Sequence, residues 1–283
     1  MSTWLVLDCP FLCHRAFHST GALRHDGEAT GVVFGFMKTL GELTNQFATD
    51  DVVFCFDSKH SLRQDAYPHY KSGRRSREQT QEERESYDEF HQQVVQLRRR
   101  WLPECGFRNV FCYKGLESDD IMAMLCNTIP ETDDIVLVTS DMDLLQCLKH
   151  NVILWSPSKG IPITEISFRT TWGIPPSSWS MVKAIAGCSS DDVQGVRGVG
   201  EKTAVKYLKG DLGTHLATHA RIISAQGRAM VERNLPLVSL PHSATPVPKL
   251  KKDQVTKTKW KQVCSELGMR SVAGRPPVSC RKS

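Results

Sequence analysis

The chain has 283 residues, 40% of them hydrophobic, enough to bury a sizeable core in one large domain or two smaller ones, and this excludes a disordered polymer. With 36 Lys+Arg against 31 Asp+Glu, a formal net charge of +5 and a pI of about 8.7, it is mildly basic, which permits a polyanionic partner without requiring one. No run of about 18 apolar residues marks a membrane helix, and the start, MSTWLVLDCPFLC, lacks a basic leader and carries Asp8 in its apolar stretch, so a cytoplasmic protein is expected (host cytoplasm if phage-encoded).

In chain order, the apolar run 4–7 reads as a buried strand that ends at Asp8. Cys9, Cys13, His14 and His18 come next on an apolar segment rather than as closely spaced pairs on turns, which argues against a structural zinc site. The ten cysteines never form CxxC and several sit in apolar runs, so reduced thiols are expected. A helical pattern over 32–43 leads to a second strand, 52–56, ending at Asp57. Residues 59–85 interleave Lys59, Arg63, Lys71, Arg74, Arg75, Arg77 and Arg84 with Tyr67, Tyr70 and four glutamates; such a segment packs poorly and is expected to project from the core.

A helix over 87–101 and a strand over 110–113 come next. GLESDDIMAML then puts Glu117, Asp119 and Asp120 at the start of a helix, 119–127, where acids are also favoured by the helix dipole alone. After the strand 135–139, TSDMDLLQ offers Asp141 and Asp143, two residues apart and able to face one ion, although Asp at such a turn also serves as a helix cap. Strands alternating with helices predict an α/β fold with a largely parallel sheet flanked by helices, over 1–174. Open parallel sheets carry their sites beyond the carboxyl ends of the strands, where Asp8, Asp57, Glu117, Asp119, Asp120, Asp141 and Asp143 all fall. Seven carboxylates there repel one another without cations; oxygen ligands select Mg²⁺ or Mn²⁺, and metal-assisted phosphodiester hydrolysis is the chemistry they suit.

From about Pro175 the pattern changes to short helices with Gly turns, a smaller region over 175–235. Its GVRGVGEKTAVKYL stretch resembles a helix-hairpin-helix: Gly195, Gly198 and Gly200 shape a tight turn, and the next helix presents backbone N–H groups with Lys202, Thr203 and Lys206 to a phosphodiester backbone. An ordinary helix corner gives a similar pattern. Residues 236–283 combine prolines with Lys249, Lys251, Lys252, Lys257, Lys259 and Lys261 and read as an extended connection and a solvated basic tail.

Six segments, LVLDCPFLCHRAFHS, TGVVFGFMKTL, FDSKHSLRQDAYPHYKSGR, GLESDD, TSDMDLLQ and SSDDVQGVRGVGEKTA, occur in the order of the structure-specific 5′-nuclease family, and the chain resembles that family from about residue 3 to about residue 210. The family comprises the 5′-nuclease domain of bacterial DNA polymerase I and free-standing phage and bacterial flap endonucleases. The resemblance implies a PIN-like core with a helical arch at about 70–90 and a C-terminal helix-hairpin-helix region. It assigns Asp8, Asp57, Glu117, Asp119 and Asp120 mainly to a first metal and Asp141, Asp143 and Asp191 to a second. Lys71 and Arg74 of YKxxR would contact the scissile phosphate, with Arg63 at another basic position of the signature. It also implies K⁺ on the carbonyls of 196–200, 5′-ended or branched DNA (or RNA primer strands) as substrate, a separate DNA polymerase as partner, and a monomer. One position departs: where the family reads GDxSDN, Cys188 replaces a carboxylate and Asp192 an asparagine, so the second ion should be weakened. Two other readings stay open, a DNA-structure binder that has lost cleavage and a PIN-like ribonuclease, which would not need the hairpin.

Overall fold

The computed structural model describes residues 2–74 and 80–277, with no description of the Arg74 side chain. The first strand, β1 (Thr3–Asp8), runs straight into α1 (Cys9–Thr20), whose first turn is capped by Asp8 accepting from the Phe11 N–H. A small ribbon, β2 (Arg24–His25) and β3 (Glu28–Ala29), leads to α2 (Gly31–Gln46) and then β4 (Asp51–Cys55). The projecting segment starts with α3 (Leu62–Ala66) and a 3₁₀ turn, Ser72–Arg74. It returns as α4 (Gln81–Gln96), which a reciprocal Thr80–Glu83 capping box starts well before the sequence pattern places a helix. A π-helical turn, Leu97–Trp101, carries α4 into α5 (Leu102–Cys105). Of the arch expected at 70–90, residues 75–79 lie outside the described residues.

The chain continues through β5 (Val110–Phe111), α6 (Ser118–Thr128), β6 (Asp134–Val138), β7 (Val152–Trp155) and β8 (Pro162–Ile163). These strands form one six-stranded sheet in the order β5-β4-β1-β6-β7-β8, parallel except for β8. Alternating side chains feed both faces, as the continuous apolar runs predict. Leu5 and Leu7 of β1 pack with α1, α2 and α5, whereas Val6, Ile135 and Leu137 pack with α6. The same second face carries α8 (Trp179–Ala186) and α9 (Glu201–Leu208), preceded by α7 (Glu165–Trp172). Between α8 and α9 runs an antiparallel ribbon, β9 (Gly187–Cys188) with β10 (Val193–Gln194). Helices α10 (Ala217–Ile223) and α11 (Ala225–Val238) complete this side. No described helix is long and apolar enough to cross a membrane.

The C-terminal segment corrects the expectation of a solvated tail. After α11 an extended strap crosses the loop before β5, where the Lys251 N–H donates to Asn109 Oδ1 at 2.8 Å and the Gln254 N–H donates to Gly106 O at 2.8 Å. It ends in α12 (Lys257–Glu266) and α13 (Arg270–Ala273). Trp260 and Cys264 are fully buried with α2 and α5, and the Trp260 indole donates to Val272 O. The lysines lie on the outer side of this helix while its apolar stripe closes the core.

Candidate metal and nucleic-acid site

Strand ends deliver the acidic residues to one edge of the sheet. Asp8 closes β1, Asp57 lies just past β4, Glu117 caps α6 after β5, and Asp141 lies just past β6. The groups between them are oriented by hydroxyls and amides: Thr139 donates to Asp8 Oδ2 at 2.7 Å, Ser118 Oγ to Asp8 Oδ1 at 3.3 Å, and the Ser118 N–H to Asp57 Oδ1 at 2.8 Å. Burial pushes the Asp8 carboxyl up to about 7, and the neighbouring Asp57 and Asp141 add to the rise against the Thr139 hydrogen bond. Asp119 is pushed well up by burial and by Asp120 and Glu117. A cluster that resists its own ionisation is one that a cation would relieve.

Lys71 spans the two halves of the cluster. Its Nζ lies 2.7 Å from Glu117 Oε2 and 3.9 Å from Asp191 Oδ1. Burial works against the ammonium, but Glu117, Asp191 and Asp119 outweigh it and raise its pKa. The neighbouring Tyr70 is not an exposed arch aromatic: it is buried, and its hydroxyl donates to Glu117 Oε2 at 2.9 Å. The backbone here is tied to the ribbon before α9, with the Lys71 N–H on Asp191 O at 2.9 Å and the Gly73 N–H on Asp192 Oδ2 at 2.7 Å.

Arg63 and Asp120 are placed differently from the sequence expectation. Arg63 is 3% exposed and Asp120 0%. They form a two-pronged pair with both N···O distances 2.7 Å, and Asp120 also accepts from the backbone N–H groups of His242 and Glu117. Arg63 donates further to Ser239 O. Asp120 therefore has its oxygens satisfied by the protein and turned inward, and Arg63 lies beneath the cluster, where it holds Asp120 and touches Glu117 at 3.9 Å. Adjacent residues on a helix point about 100° apart, and Asp120 takes the direction towards Arg63 and the His242 N–H. The side chain of Arg74 lies outside the described residues.

The second half of the cluster contains the departure from the acidic pattern. Asp143, Cys188 and Asp191 each bring one ligand atom within 4.8 Å of the others. Cys188 Sγ lies 3.8 Å from Asp143 Oδ2 and 3.1 Å from Ser190 Oγ. Burial, reinforced by Asp143, raises its thiol to about 11, so it is neutral at pH 7. The sequence reading missed Lys183 beside it. This buried lysine, the single charge in the apolar helix WSMVKAIA, sits 2.9 Å from Asp143 Oδ1 and 3.0 Å from Glu201 Oε1. Burial opposes its charge, but Asp143 and Glu201 hold it protonated. A lone cation on an apolar helix face was the available signal. Two carboxylates, a thiol and an ammonium thus stand together in this half of the cluster, with Cys188 at the position where the pattern has a carboxylate.

The hairpin comes directly after. Gly195 approaches Ala186 so closely that a Cβ would lie 2.1 Å from its carbonyl carbon, and Gly198 has φ +76°, a left-handed value that glycine takes without strain. Val196 and Val199 anchor the turn in the core, and Gly200 caps α9, with Lys202 and Lys206 exposed and Thr203 half-buried at its start. A groove of about 1110 Å³ runs from Gly200, Lys202 and Thr203 past Cys188 and Lys183 to His69 and Ser72. Arg221 donates to Arg197 O at 3.2 Å, so one carbonyl expected to serve K⁺ already faces a guanidinium.

Three comparisons place the chain. The model of the 5′-3′ exonuclease, N-terminal resolvase-like domain, matches residues 3–173. The 5′-3′ exonuclease of Bacillus subtilis is 32% identical over 215 residues, covering 72% of this chain and 69% of that protein. The thermostable DNA polymerase I of Thermus aquaticus is 31% identical over 208 residues, 72% of this chain but 23% of the polymerase, so the chain spans about a quarter of the length of such relatives. Among solved structures, T5 5′-exonuclease with bound zinc ions superposes with a TM-score of 0.73 at 18% identity, covering 96% of this chain and 99% of that one, and T5 flap endonuclease has also been solved with DNA and metal ions. With its parallel sheet, its strand-end carboxylates and the matched residues 3–173, the chain belongs to the 5′-3′ exonuclease family.

Proposed function

We propose that this protein is a divalent-metal-dependent 5′-nuclease that hydrolyses phosphodiester bonds at 5′ flaps or 5′ ends of DNA. The observation that carries the reading is the convergence of carboxylates from four strand ends with Lys71 bridging them. Asp8, Asp57, Glu117 and Asp119 form an all-oxygen set suited to Mg²⁺ or Mn²⁺, and the raised Asp8 carboxyl fits a site built around a cation. Asp141, Asp143 and Asp191 would hold a second ion, more weakly because the neutral Cys188 thiol and the Lys183 ammonium share the place. Ions held by these residues would supply the positive charge that makes a bound water nucleophilic and offsets the charge developing on the phosphate.

The protein's own groups do the positioning. Lys71, held by Glu117 and Asp191, presents its ammonium to a phosphate oxygen, and Tyr70 fixes Glu117 from behind. Ser118 and Thr139 lock Asp8 and Asp57. The N–H groups at the start of α9, with Lys202 and Lys206, grip the duplex backbone without reading bases. Such a protein would work in the cytoplasm beside a separate DNA polymerase.

The test is cleavage of a 5′-labelled flap duplex across Mg²⁺ and Mn²⁺ concentrations, comparing wild type with Asp143→Ala. Metal-dependent cleavage by wild type and none by the variant supports the reading. The absence of wild-type cleavage at every metal concentration, with flap binding intact, would favour the DNA-structure binder, for which Cys188 and Lys183 are the specific observations.

A further inference from the structure

Asp143, Cys188 and Asp191 come from three segments: the 3₁₀ turn after β6, strand β9, and the 3₁₀ turn between β9 and β10. Cys188 is fixed there by its pairing with Val193 of β10 and is 4% exposed. Among the described residues no other three His, Cys, Asp or Glu side chains bring ligand atoms within 4.8 Å of one another. The fold therefore gathers this mixed sulfur and oxygen set more closely than any all-oxygen set of the cluster.

The two carboxylates already face cations. Lys183 Nζ lies 2.9 Å from Asp143 Oδ1, which leaves Oδ2 towards Cys188 Sγ at 3.8 Å. Lys71 Nζ lies 3.9 Å from Asp191 Oδ1, and the Tyr70 hydroxyl 3.4 Å from Asp191 Oδ2. The neighbouring Asp141 accepts the Asp143 N–H on its Oδ1 at 2.8 Å. Mg²⁺ is held through charge on oxygen ligands and gives up its waters reluctantly. Carboxylates set against ammonium groups offer it little, and a sulfur offers it less. An ion that bonds to sulfur gains from Cys188 what the neutralised carboxylates no longer give. The spacing agrees: sulfur and oxygen ligands of a tetrahedral zinc-type ion stand about 3.5 Å apart, close to the 3.8 Å between Cys188 and Asp143. Neighbouring oxygens around octahedral Mg²⁺ stand about 2.9 Å apart. A set of three protein ligands also leaves a fourth position for water or substrate, and the groove lined by Cys188, Ser190 and Lys183 opens onto it.

We propose that Asp143, Cys188 and Asp191 select a thiophilic divalent ion, of the zinc or cobalt kind, over Mg²⁺. The proposal rests on the nuclease reading for placing a second ion in this half of the cluster. When the ion binds, the Cys188 S–H bond breaks, the sulfur electron pair forms the bond to the ion and the proton leaves to solvent; no electron is transferred. Ser190 Oγ, 3.1 Å from the sulfur, then donates to the thiolate. The two halves of the cluster differ in the ion they prefer, since Asp8, Asp57, Glu117 and Asp119 offer oxygen alone.

The experiment adds Co²⁺, a spectroscopic stand-in for zinc, to the full chain kept reduced with a phosphine and free of DNA. Wild type should develop a near-ultraviolet sulfur-to-cobalt absorption that saturates at a single ion per chain. Stoichiometric Zn²⁺ should abolish it, and about a hundredfold excess of Mg²⁺ should not. Cys188→Asp should lack the absorption, bind Zn²⁺ about tenfold or more weakly in competition with a chromogenic chelator, and bind Mg²⁺ more tightly. No absorption in wild type, equal absorption in Cys188→Asp, or displacement of cobalt by that excess of Mg²⁺ overturns the proposal. Should the new carboxylate disturb folding, Cys188→Ser gives the same comparison, because it too removes the sulfur. Failure of the nuclease reading shows separately: wild type would carry the absorption and yet leave a 5′ flap uncut in Mg²⁺, Mn²⁺ or Zn²⁺.

Discussion

Replacing Arg63 by Met separates two meanings of a basic residue in one sequence signature. The guanidinium makes two 2.7 Å bonds to Asp120 and a third contact to Ser239 O, in a place where Arg63 is 3% and Asp120 0% exposed. Removing one partner of a buried pair leaves the other charge without compensation, a loss of about 3–5 kcal/mol. Here the two backbone N–H groups that remain on Asp120 hold the loss towards the lower end of that range. For 283 residues the entropy of unfolding is about 0.6 kcal/mol per degree, so Tm should fall by roughly 5–8 °C. Urea or thermal unfolding measures this directly, and pairing the change with Asp120→Leu should recover much of it, since an apolar pair of similar volume replaces the charges. Flap cleavage by the Arg63→Met protein, assayed well below its Tm, should stay within about tenfold of wild type, less than one decade of lost transition-state stabilisation. A Tm unchanged within about 1–2 °C together with cleavage lost by about a thousandfold would refute the placement of Arg63 beneath the site and return it to the substrate.

The geometry leads to four further outcomes. Lys71→Ala should lower cleavage by about a hundredfold or more while changing duplex affinity little, as expected for a donor aimed at the reacting phosphate; equal losses would make it a binding residue only. Because the folded Asp8 carboxyl titrates near 7 rather than 3.8, the metal-free fold holds a proton that the unfolded chain releases, so stability in EDTA should rise as pH falls from about 7 towards 4. The full cost of the ionised group, on the order of 4 kcal/mol, is present above pH 7; Asp8→Asn should flatten this profile, and an unchanged slope counts against the assignment. Cys188→Asp should lower the Mg²⁺ concentration needed for half-maximal cleavage, with Lys183→Met shifting it in the same direction, and calorimetric titration of Mn²⁺ checks both without turnover. Trp260→Ala should cost about 3–5 kcal/mol in urea unfolding, against a negligible change if the C-terminal segment were a free tail.

The strand ends were legible because a buried parallel strand is an uninterrupted apolar run, and the residue just past its last apolar position must face the carboxyl edge. That placed Asp8, Asp57, Glu117 and Asp141 at one edge from sequence alone. Which of Asp119 and Asp120 faces outward was not legible, since both positions begin the same helix and the answer depends on Arg63, 57 positions away. Lys183 went unread for a similar reason: its partners, Asp143 and Glu201, come from different elements. The C-terminal segment was misread through its composition. Prolines and lysines suggested a loose end, but Trp260, Val263, Cys264 and Leu267 repeat at helical spacing, and all four are buried. An apolar run, VILW, also marks the strand Val152–Trp155, which the sequence expectations omitted.

The seam between the arch foot and the ribbon before the hairpin pairs two left-handed residues with two hydrogen bonds. Lys71 and Asp192 both hold left-handed backbones, at φ 54° and 56°, which side-chain-bearing residues adopt at a cost on the order of 1 kcal/mol each. They face one another across the bonds from the Lys71 N–H to Asp191 O and from the Gly73 N–H to Asp192 Oδ2. Each strained residue is thus held in place by the segment that carries the other, and opening the seam lets both relax at once. The residues just before the hairpin are thus joined directly to the backbone of Lys71 and Gly73 by two hydrogen bonds. Under the proposed function, a duplex seated on the hairpin would bear on the placement of Lys71 through these same two bonds.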